Sequence, residues 1–122
     1  MIARSLEKTI NENLFKGKAI IIIGPRQVGK TTLVNQLKEK LKKKTILFNC
    51  DELEAKNALT NPSLNQLRDL KSDNEMVIID EAQRIREIGL TLKLIIDNIK
   101  TAQLLVTGSS ALELSNTLNE PL

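Results

Sequence analysis

One segment of this sequence constrains the fold more than any other: a short apolar run that leads directly into a glycine-containing loop. Residues 19–23 read Ala-Ile-Ile-Ile-Ile, and a β-branched run without polar alternation is typical of a parallel strand buried on both faces. Residues 24–31 then read Gly-Pro-Arg-Gln-Val-Gly-Lys-Thr, which matches a phosphate-binding loop between a strand and a helix. The segment therefore predicts an α/β domain that binds a nucleotide.

The residue types in this loop fit a phosphate ligand position by position. Gly24 and Gly29 permit backbone angles that a side chain would forbid, so the main chain can approach a phosphate closely. The N–H groups that follow point toward the ligand at the positive end of the next helix. Lys30 supplies a catalytic positive charge for the β- and γ-phosphates, and the Thr31 hydroxyl can coordinate Mg²⁺. Unless the segment is a plain glycine turn, the cofactor-binding residues are Gly24, Pro25, Arg26, Gln27, Val28, Gly29, Lys30, Thr31 and Thr32.

Apolar runs alternate with helical patterns along the rest of the chain. Three further runs predict buried strands, at residues 46–48, 76–79 and 104–106. Apolar residues spaced three and four apart predict helices, with stripes over residues 2–14, 32–43, 62–70 and 85–99. Asn61 is the expected cap of the third of these helices, and Asp51 that of a short helix over 52–59. This alternation predicts one α/β domain over residues 1–122 with a mainly parallel sheet.

Two adjacent carboxylates follow the apolar run 76–79. Asp80, at the carboxyl end of that strand, is placed to support Mg²⁺, and Glu81 is placed to act as general base or to orient the attacking water. Ligands of open α/β sheets bind beyond the carboxyl ends of the strands, which favours this interpretation. The alternative is an acidic helix start favoured by the helix dipole. The pair favours a hydrolase over a P-loop kinase or GTPase, and the absence of an Asn-Lys-x-Asp sequence favours ATP.

Polar residues also end the last apolar run, where Thr107, Gly108 and Ser109 follow residues 104–106. A hydroxyl of Thr107 or Ser109 at this strand end can face the γ-phosphate or the attacking water. Ser109 or Ser110 can instead cap a helix that begins nearby. Both interpretations stay open at this point.

Composition excludes several other chemistries. The chain has no His and a single Cys50, which rules out Ser-His and Cys-His nucleophiles, multi-cysteine zinc sites and an intramolecular disulfide. Cys50 is expected to be an inert, small apolar residue. No apolar run is long enough to span a membrane, and the N-terminus lacks the apolar region of a signal peptide, so we expect a cytoplasmic protein without a membrane partner.

The net charge of +3 does not by itself indicate a nucleic-acid partner. The lysines of residues 38–44 are expected to form a solvated face that complements the negative end of their own helix. Aromatic residues make up only 2% of the chain, which provides no platform for stacking bases. Gln83 and Arg84 are expected at an exposed helix start rather than against the nucleotide of a neighbouring subunit.

The sequences GPRQVGKTT, VIIDEAQ and LLVTGSSA together resemble the ATPase domain of a prokaryotic AAA-type family of ATP-binding proteins. Members of that family usually carry a restriction-endonuclease-like domain after the ATPase. The resemblance covers nearly the whole chain and implies a three-layer P-loop NTPase sandwich with strand order 5-1-4-3-2. The site that it implies has Lys30 and Thr31 on phosphate and Mg²⁺, Asp80 supporting the metal, Glu81 as the catalytic residue, and Thr107 or Ser109 as sensor.

The sequence departs from the family at its end. It stops at Leu122, where the family continues into a fifth strand, a distal arginine and the second domain. We therefore expect an N-terminal fragment with four strands in the order 1-4-3-2, and self-association through the uncovered edge of the first strand. The expected function is Mg²⁺-dependent ATP hydrolysis that drives a conformational change in an attached domain or partner. A nucleotide-gated binding module with negligible turnover and a P-loop kinase are the alternatives.

Overall fold

A four-stranded parallel sheet forms the centre of the protein, with strands in the order β1-β4-β3-β2. The computed structural model describes residues 2–24 and 30–109. The elements, in chain order, are α1 (Ile2–Asn13), β1 (Ile20–Ile23), α2 (Lys30–Leu41), β2 (Thr45–Asn49), α3 (Leu53–Leu59), α4 (Leu64–Lys71), β3 (Met76–Asp80), a 3₁₀ turn (Ala82–Arg84), α5 (Ile88–Asn98) and β4 (Gln103–Gly108). The predicted α/β class and the predicted order of these four strands are confirmed.

Both faces of the sheet are covered, which explains why the strand sequences lack polar alternation. Ile20 and Ile22 of β1 pack in one apolar cluster with residues of α1 and α2, whereas Ile21 packs in a second cluster with residues of α3, α4 and α5. In β4, Leu105 likewise belongs to the first cluster and Val106 to the second. Successive side chains of a strand point to opposite faces, so a strand between two helical layers needs apolar residues at every position.

Two predicted helix caps are wrong. Ser63, not Asn61, begins α4: its hydroxyl accepts a hydrogen bond from the Gln66 N–H at 3.1 Å, and the Gln66 side chain accepts one from the Ser63 N–H at 2.8 Å. This reciprocal pair satisfies two N–H groups at once, which a single Asn side chain would not achieve. The position before α3 belongs to Glu52, whose side chain makes no capping bond, and Asp51 is engaged elsewhere.

The predicted helix over residues 85–99 is shorter than its apolar stripe. Glu87 has a φ of 52° and interrupts the helical path, so α5 begins only at Ile88. Ile85 and Ile99 lie outside the helix, yet both are buried in the same cluster as the stripe residues within it. Burial of one face therefore extends beyond the helical segment. None of the helices in the described part of the chain is long and apolar enough to cross a membrane.

The fold predicts that the stability of the domain depends on the β4 side chains between the two layers. Leu105 is fully buried, so Leu105→Ala should lower the free energy of unfolding by about 2–5 kcal/mol through lost burial and a residual cavity. Chemical denaturation followed by circular dichroism measures this. Leu90→Ala is the control, because Leu90 on α5 is 62% exposed and its loss should change stability by only about 0.5 kcal/mol. Equal effects of the two substitutions would contradict the assigned core.

Candidate functional site

The three sequence elements singled out for chemistry meet at one edge of the sheet. Gly24 directly follows β1, and its N–H donates to the carbonyl oxygen of Gly108, the last residue of β4, at 3.0 Å. Asp80 ends β3, and Thr107 is the second-last residue of β4. All strands are parallel, so their carboxyl ends lie on the same side of the sheet. This is the edge at which open α/β sheets bind ligands.

Thr107 connects the two carboxylate residues through a single hydroxyl group. The side chain is fully buried, and its Oγ1 donates a short hydrogen bond to Asp80 Oδ1. The same oxygen accepts a hydrogen bond from the Glu81 backbone N–H at 3.0 Å. A hydroxyl has one proton to donate, and in this structure that proton is directed to Asp80 rather than outward to a ligand. Thr107 therefore orients the Asp80 carboxylate and fixes the start of the following turn.

Glu81 occupies an unusual backbone conformation. Its φ of 59° and ψ of 47° place it in the left-handed region, which costs a residue with a side chain about 1–2 kcal/mol. The conformation turns the chain from β3 into the 3₁₀ turn, where the Arg84 N–H donates to the Glu81 carbonyl oxygen at 3.1 Å. Strain of this kind tends to occur at functional sites, where surrounding contacts maintain it. Glu81 is nevertheless buried, with 4% of its surface exposed.

The Glu81 carboxylate is held by a neighbour that the sequence pattern did not identify. Gln83 Nε2 donates to Glu81 Oε1 at 2.7 Å, and Gln83 Oε1 accepts from the Ser109 N–H at 3.1 Å. Gln83 and Arg84 are both predicted at an exposed helix start: both lie in the short 3₁₀ turn, where Arg84 is exposed as predicted but Gln83 is half-buried. The sequence indicated only that Gln83 follows Glu81 by two residues, so that both lie on the same turn. Nothing in the sequence showed that the turn would face the end of β4.

Arg84 and Asp51 form an ion pair at the rim of the site. Arg84 Nε lies 3.0 Å from Asp51 Oδ1, and both side chains are partly exposed, at 42% and 37%. The Asp51 N–H also donates to Asn49 Oδ1 at 3.1 Å. This engagement explains why Asp51 does not cap α3. A pair in contact with water adds little stability, so its main effect is to join the turn after β3 to the loop after β2.

Cys50 lies directly beside the acidic end of β3. Its N–H donates to the Asp80 carbonyl oxygen at 2.9 Å, and the residue is fully buried. Burial, and then the negative charges of Asp80, Asp51 and Glu81, raise the pKa of the Cys50 thiol to about 12. The thiolate is the reactive form of cysteine, so at neutral pH this residue is a protonated, inert side chain. The structure agrees with its interpretation as a small apolar residue.

The donor set of the site fits a hard divalent cation bound together with phosphate oxygens. No group of three or more His, Cys, Asp or Glu side chains within residues 2–24 and 30–109 is arranged to hold a metal ion. Mg²⁺ commonly binds through one or two protein carboxylates plus substrate phosphates. Asp80 can therefore be the one carboxylate ligand that the sheet contributes. The predicted partner hydroxyl, Thr31, belongs to the first turn of α2, which begins at Lys30.

The remaining predicted site residues are only partly covered by the structure. Pro25, Arg26, Gln27, Val28 and Gly29 lie outside the described residues, and the side chains of Lys30 and Thr31 do as well. Thr32 is exposed at the start of α2, and Ser109 enters the site through its backbone N–H. The helix start expected near residue 111 also lies outside the described residues.

Comparison with known proteins assigns the family. The model of a family described as an AAA domain matches residues 16–122. The chain belongs to this AAA domain family. Since the match begins just before β1 and includes the predicted phosphate-binding loop and both other strand ends, it covers every element of the candidate site. Among curated proteins, none matches the sequence of this chain.

Solved structures similar to this AAA domain share its fold at low sequence identity. A DNA replication initiation factor matches 88% of this chain and 37% of its own length, with 18% identity and a TM-score of 0.61. The RuvB Holliday junction branch migration motor of Thermotoga maritima matches 98% and 44%, with 17% identity and a TM-score of 0.59. Bacteroides Pif1 bound to ssDNA matches 88% and 31%, with 20% identity and a TM-score of 0.55. The chain thus spans less than half the length of each of these proteins.

The raised pKa of Cys50 predicts resistance to thiol reagents in the folded protein. At pH 8 the native thiol should react with a disulfide reagent far more slowly than in denaturant, because burial and the nearby carboxylates keep it protonated. Absorbance during labelling measures the rate. A Cys50→Ala protein that carries Gln36→Cys on the exposed face of α2 is the control and should react at once. Equally fast labelling of native Cys50 would show that the end of β2 is open to solvent.

Proposed function

We propose that this AAA domain binds ATP with Mg²⁺ and hydrolyses it, and that the hydrolysis drives a conformational change in an attached domain or partner. The observation that carries the proposal is the network at the carboxyl edge of the sheet, in which Thr107 orients Asp80 and fixes the turn that presents Glu81. The network lies beside Gly24, where the phosphate-binding sequence begins. A buried acidic pair beside a predicted phosphate loop matches the chemical requirements of phosphoryl transfer to water.

Each group in the site has a separate task in this proposal. The loop N–H groups and Lys30 bind the β- and γ-phosphates, and Asp80 with the Thr31 hydroxyl holds Mg²⁺. Mg²⁺ held by these residues would supply positive charge to offset the negative charge that develops on the phosphate oxygens. Glu81 accepts a proton from the attacking water or orients that water toward the γ-phosphorus. Asp80 and Glu81 can divide these tasks because their carboxylates have different hydrogen-bond partners, Thr107 for Asp80 and Gln83 for Glu81.

The proteins with similar structures indicate the kinds of process in which a domain with this fold can take part. These proteins are a replication initiation factor, a branch migration motor and a protein bound to ssDNA. At 17–20% identity, their similarity to this chain is one of fold. The described surface offers little for base stacking, since Phe15 and Phe48 are the only aromatic residues of the chain. We therefore propose that the domain acts through a protein partner or an attached domain, and that its own contact with nucleic acid is weak and salt-dependent.

Loss of the loop lysine should remove nucleotide binding without unfolding the protein. Lys30→Ala should weaken Mg·ATP binding at least tenfold, because the predicted charge opposite the phosphates is lost. Titration with a fluorescent ATP analogue measures the affinity, and circular dichroism checks the fold. Lys38→Ala, a lysine on the exposed part of the same helix, is the control and should bind normally. Unchanged binding by folded Lys30→Ala protein would refute the phosphate-loop assignment.

Loss of the proposed base should separate binding from turnover. Glu81→Gln should keep ATP affinity within about twofold and lower kcat by ~10²-fold or more, because an amide does not accept the proton. Phosphate release at saturating ATP measures kcat. Glu87→Gln is a matched control, since Glu87 also has a left-handed backbone but is exposed. Equal turnover by Glu81→Gln and unmodified protein would mean that Glu81 only shapes the turn.

A further inference from the structure

The Gln83 side chain forms a bridge between the proposed base and the end of β4. Its Nε2 donates to Glu81 Oε1 at 2.7 Å, and its Oε1 accepts from the Ser109 N–H at 3.1 Å. The two partners fix the orientation of the amide. A carboxylate oxygen accepts and a backbone N–H donates, so only one of the two amide flips satisfies both. Gln83 therefore holds two segments that are 26 residues apart in the chain.

The Glu81 carboxylate depends on this bridge for its position. The backbone of Glu81 is fixed by the Thr107 hydroxyl on its N–H and by the Arg84 N–H on its carbonyl oxygen. Beyond the backbone, a glutamate side chain has three rotatable bonds. Within the part of the chain that the structure describes, the hydrogen bond from Gln83 is the one that engages the carboxylate. Loss of this hydrogen bond would leave packing alone to orient the buried carboxylate.

We propose that Gln83 is a positioning residue that holds the Glu81 carboxylate in its working orientation and makes that orientation depend on Ser109. This inference rests on the proposed hydrolysis of ATP. A base in an active site needs a third group to orient it, and contacts behind a reacting group commonly change activity by about 10–100-fold when they are lost. The glutamine is suited to this task because it donates to the carboxylate without adding a charge beside Asp80.

The Gln83 bridge also links the position of Ser109 to the position of the Glu81 carboxylate. Ser109 directly follows β4, the strand whose Thr107 orients Asp80. A shift of Ser109 relative to β3 would stretch the Gln83 bridge and release the carboxylate, while the Thr107 contact with Asp80 could persist. Binding of Mg²⁺ and positioning of the base would then respond to different parts of the same strand end. The bridge is therefore the proposed route by which a movement of Ser109 would change turnover and leave nucleotide affinity unchanged.

Two substitutions separate positioning from general support of the turn. Gln83→Leu removes both hydrogen bonds with little change in size, whereas Gln83→Glu keeps an acceptor for Ser109 and places a like charge beside Glu81. Both should lower kcat for ATP about tenfold or more and leave KM within about twofold. Gln36→Leu and Gln36→Glu on the exposed face of α2 are the matched controls and should match the unmodified protein. Folded Gln83 variants with an unchanged or raised kcat would overturn the proposal. A rise in KM as large as the fall in kcat would also overturn it.

A double-mutant cycle tests whether Gln83 acts through Glu81. In a Glu81→Gln background, Gln83→Leu should lower the residual kcat by less than twofold, because the group that it positions is already lost. A further tenfold loss in that background, equal to the loss in the unmodified protein, would show that Gln83 acts independently of Glu81 and would overturn the proposal.

A measurement without nucleotide tests the bridge itself. Hydrogen exchange of the Ser109 amide, followed by NMR, should become at least fivefold faster in Gln83→Leu, because its hydrogen bond to Gln83 Oε1 is lost, and should stay unchanged in Gln36→Leu. Unchanged exchange in Gln83→Leu overturns the bridge even if the variant is less active. An unmodified protein that binds or hydrolyses no ATP would refute the proposed function, whereas the exchange measurement would still decide whether Gln83 holds Ser109.

Discussion

The arrangement at the carboxyl edge depends on one buried hydroxyl group, that of Thr107. It donates to the Asp80 carboxylate and accepts from the Glu81 N–H, so it joins the last residue of β3 to the first residue of the turn. A buried carboxylate and a buried N–H each cost free energy when they lack a partner. Thr107 satisfies both with one oxygen. The parallel pairing of β3 with β4 is what places that oxygen within reach of the two groups.

The site divides into a rigid part and an adjustable part. Asp80 sits at the end of a strand that is buried along its whole length, and the strand ladder limits how far it can move. Glu81 leaves that ladder through a strained backbone and is held by contacts with Thr107, Arg84 and Gln83. In the proposed function Asp80 is a metal ligand, which benefits from fixed geometry, whereas Glu81 is a base that must meet a water molecule. The two parts meet at the peptide bond between Asp80 and Glu81.

Membership in the AAA domain family and the geometry of the site are two observations that both favour a nucleotide site at the carboxyl edge of the sheet. The family match rests on sequence over residues 16–122, and the structural similarity extends to proteins at only 17–20% identity. The fold is preserved over such distances because buried strands tolerate exchange among apolar residues. Partners change more readily, since they depend on surface and on further domains. We therefore propose a function for the nucleotide site of this domain and do not assign to it the partners of the similar proteins.

The sequence by itself determined the sheet, its helical layers and the residues at the strand ends. Continuous apolar strands can only be buried between two layers, and short polar endings such as Asp80-Glu81 lie where those strands stop. The sequence did not determine the bridge made by Gln83, which joins segments far apart in the chain, since 26 residues separate Gln83 from Ser109. The Ser63 cap is different, because the Ser63–Gln66 pair spans only three residues and its Ser-x-x-Gln spacing is itself a signature of a helix start. Hydrophobic periodicity specifies which face of an element is buried, but only the packed tertiary structure decides which polar groups then come within hydrogen-bonding distance.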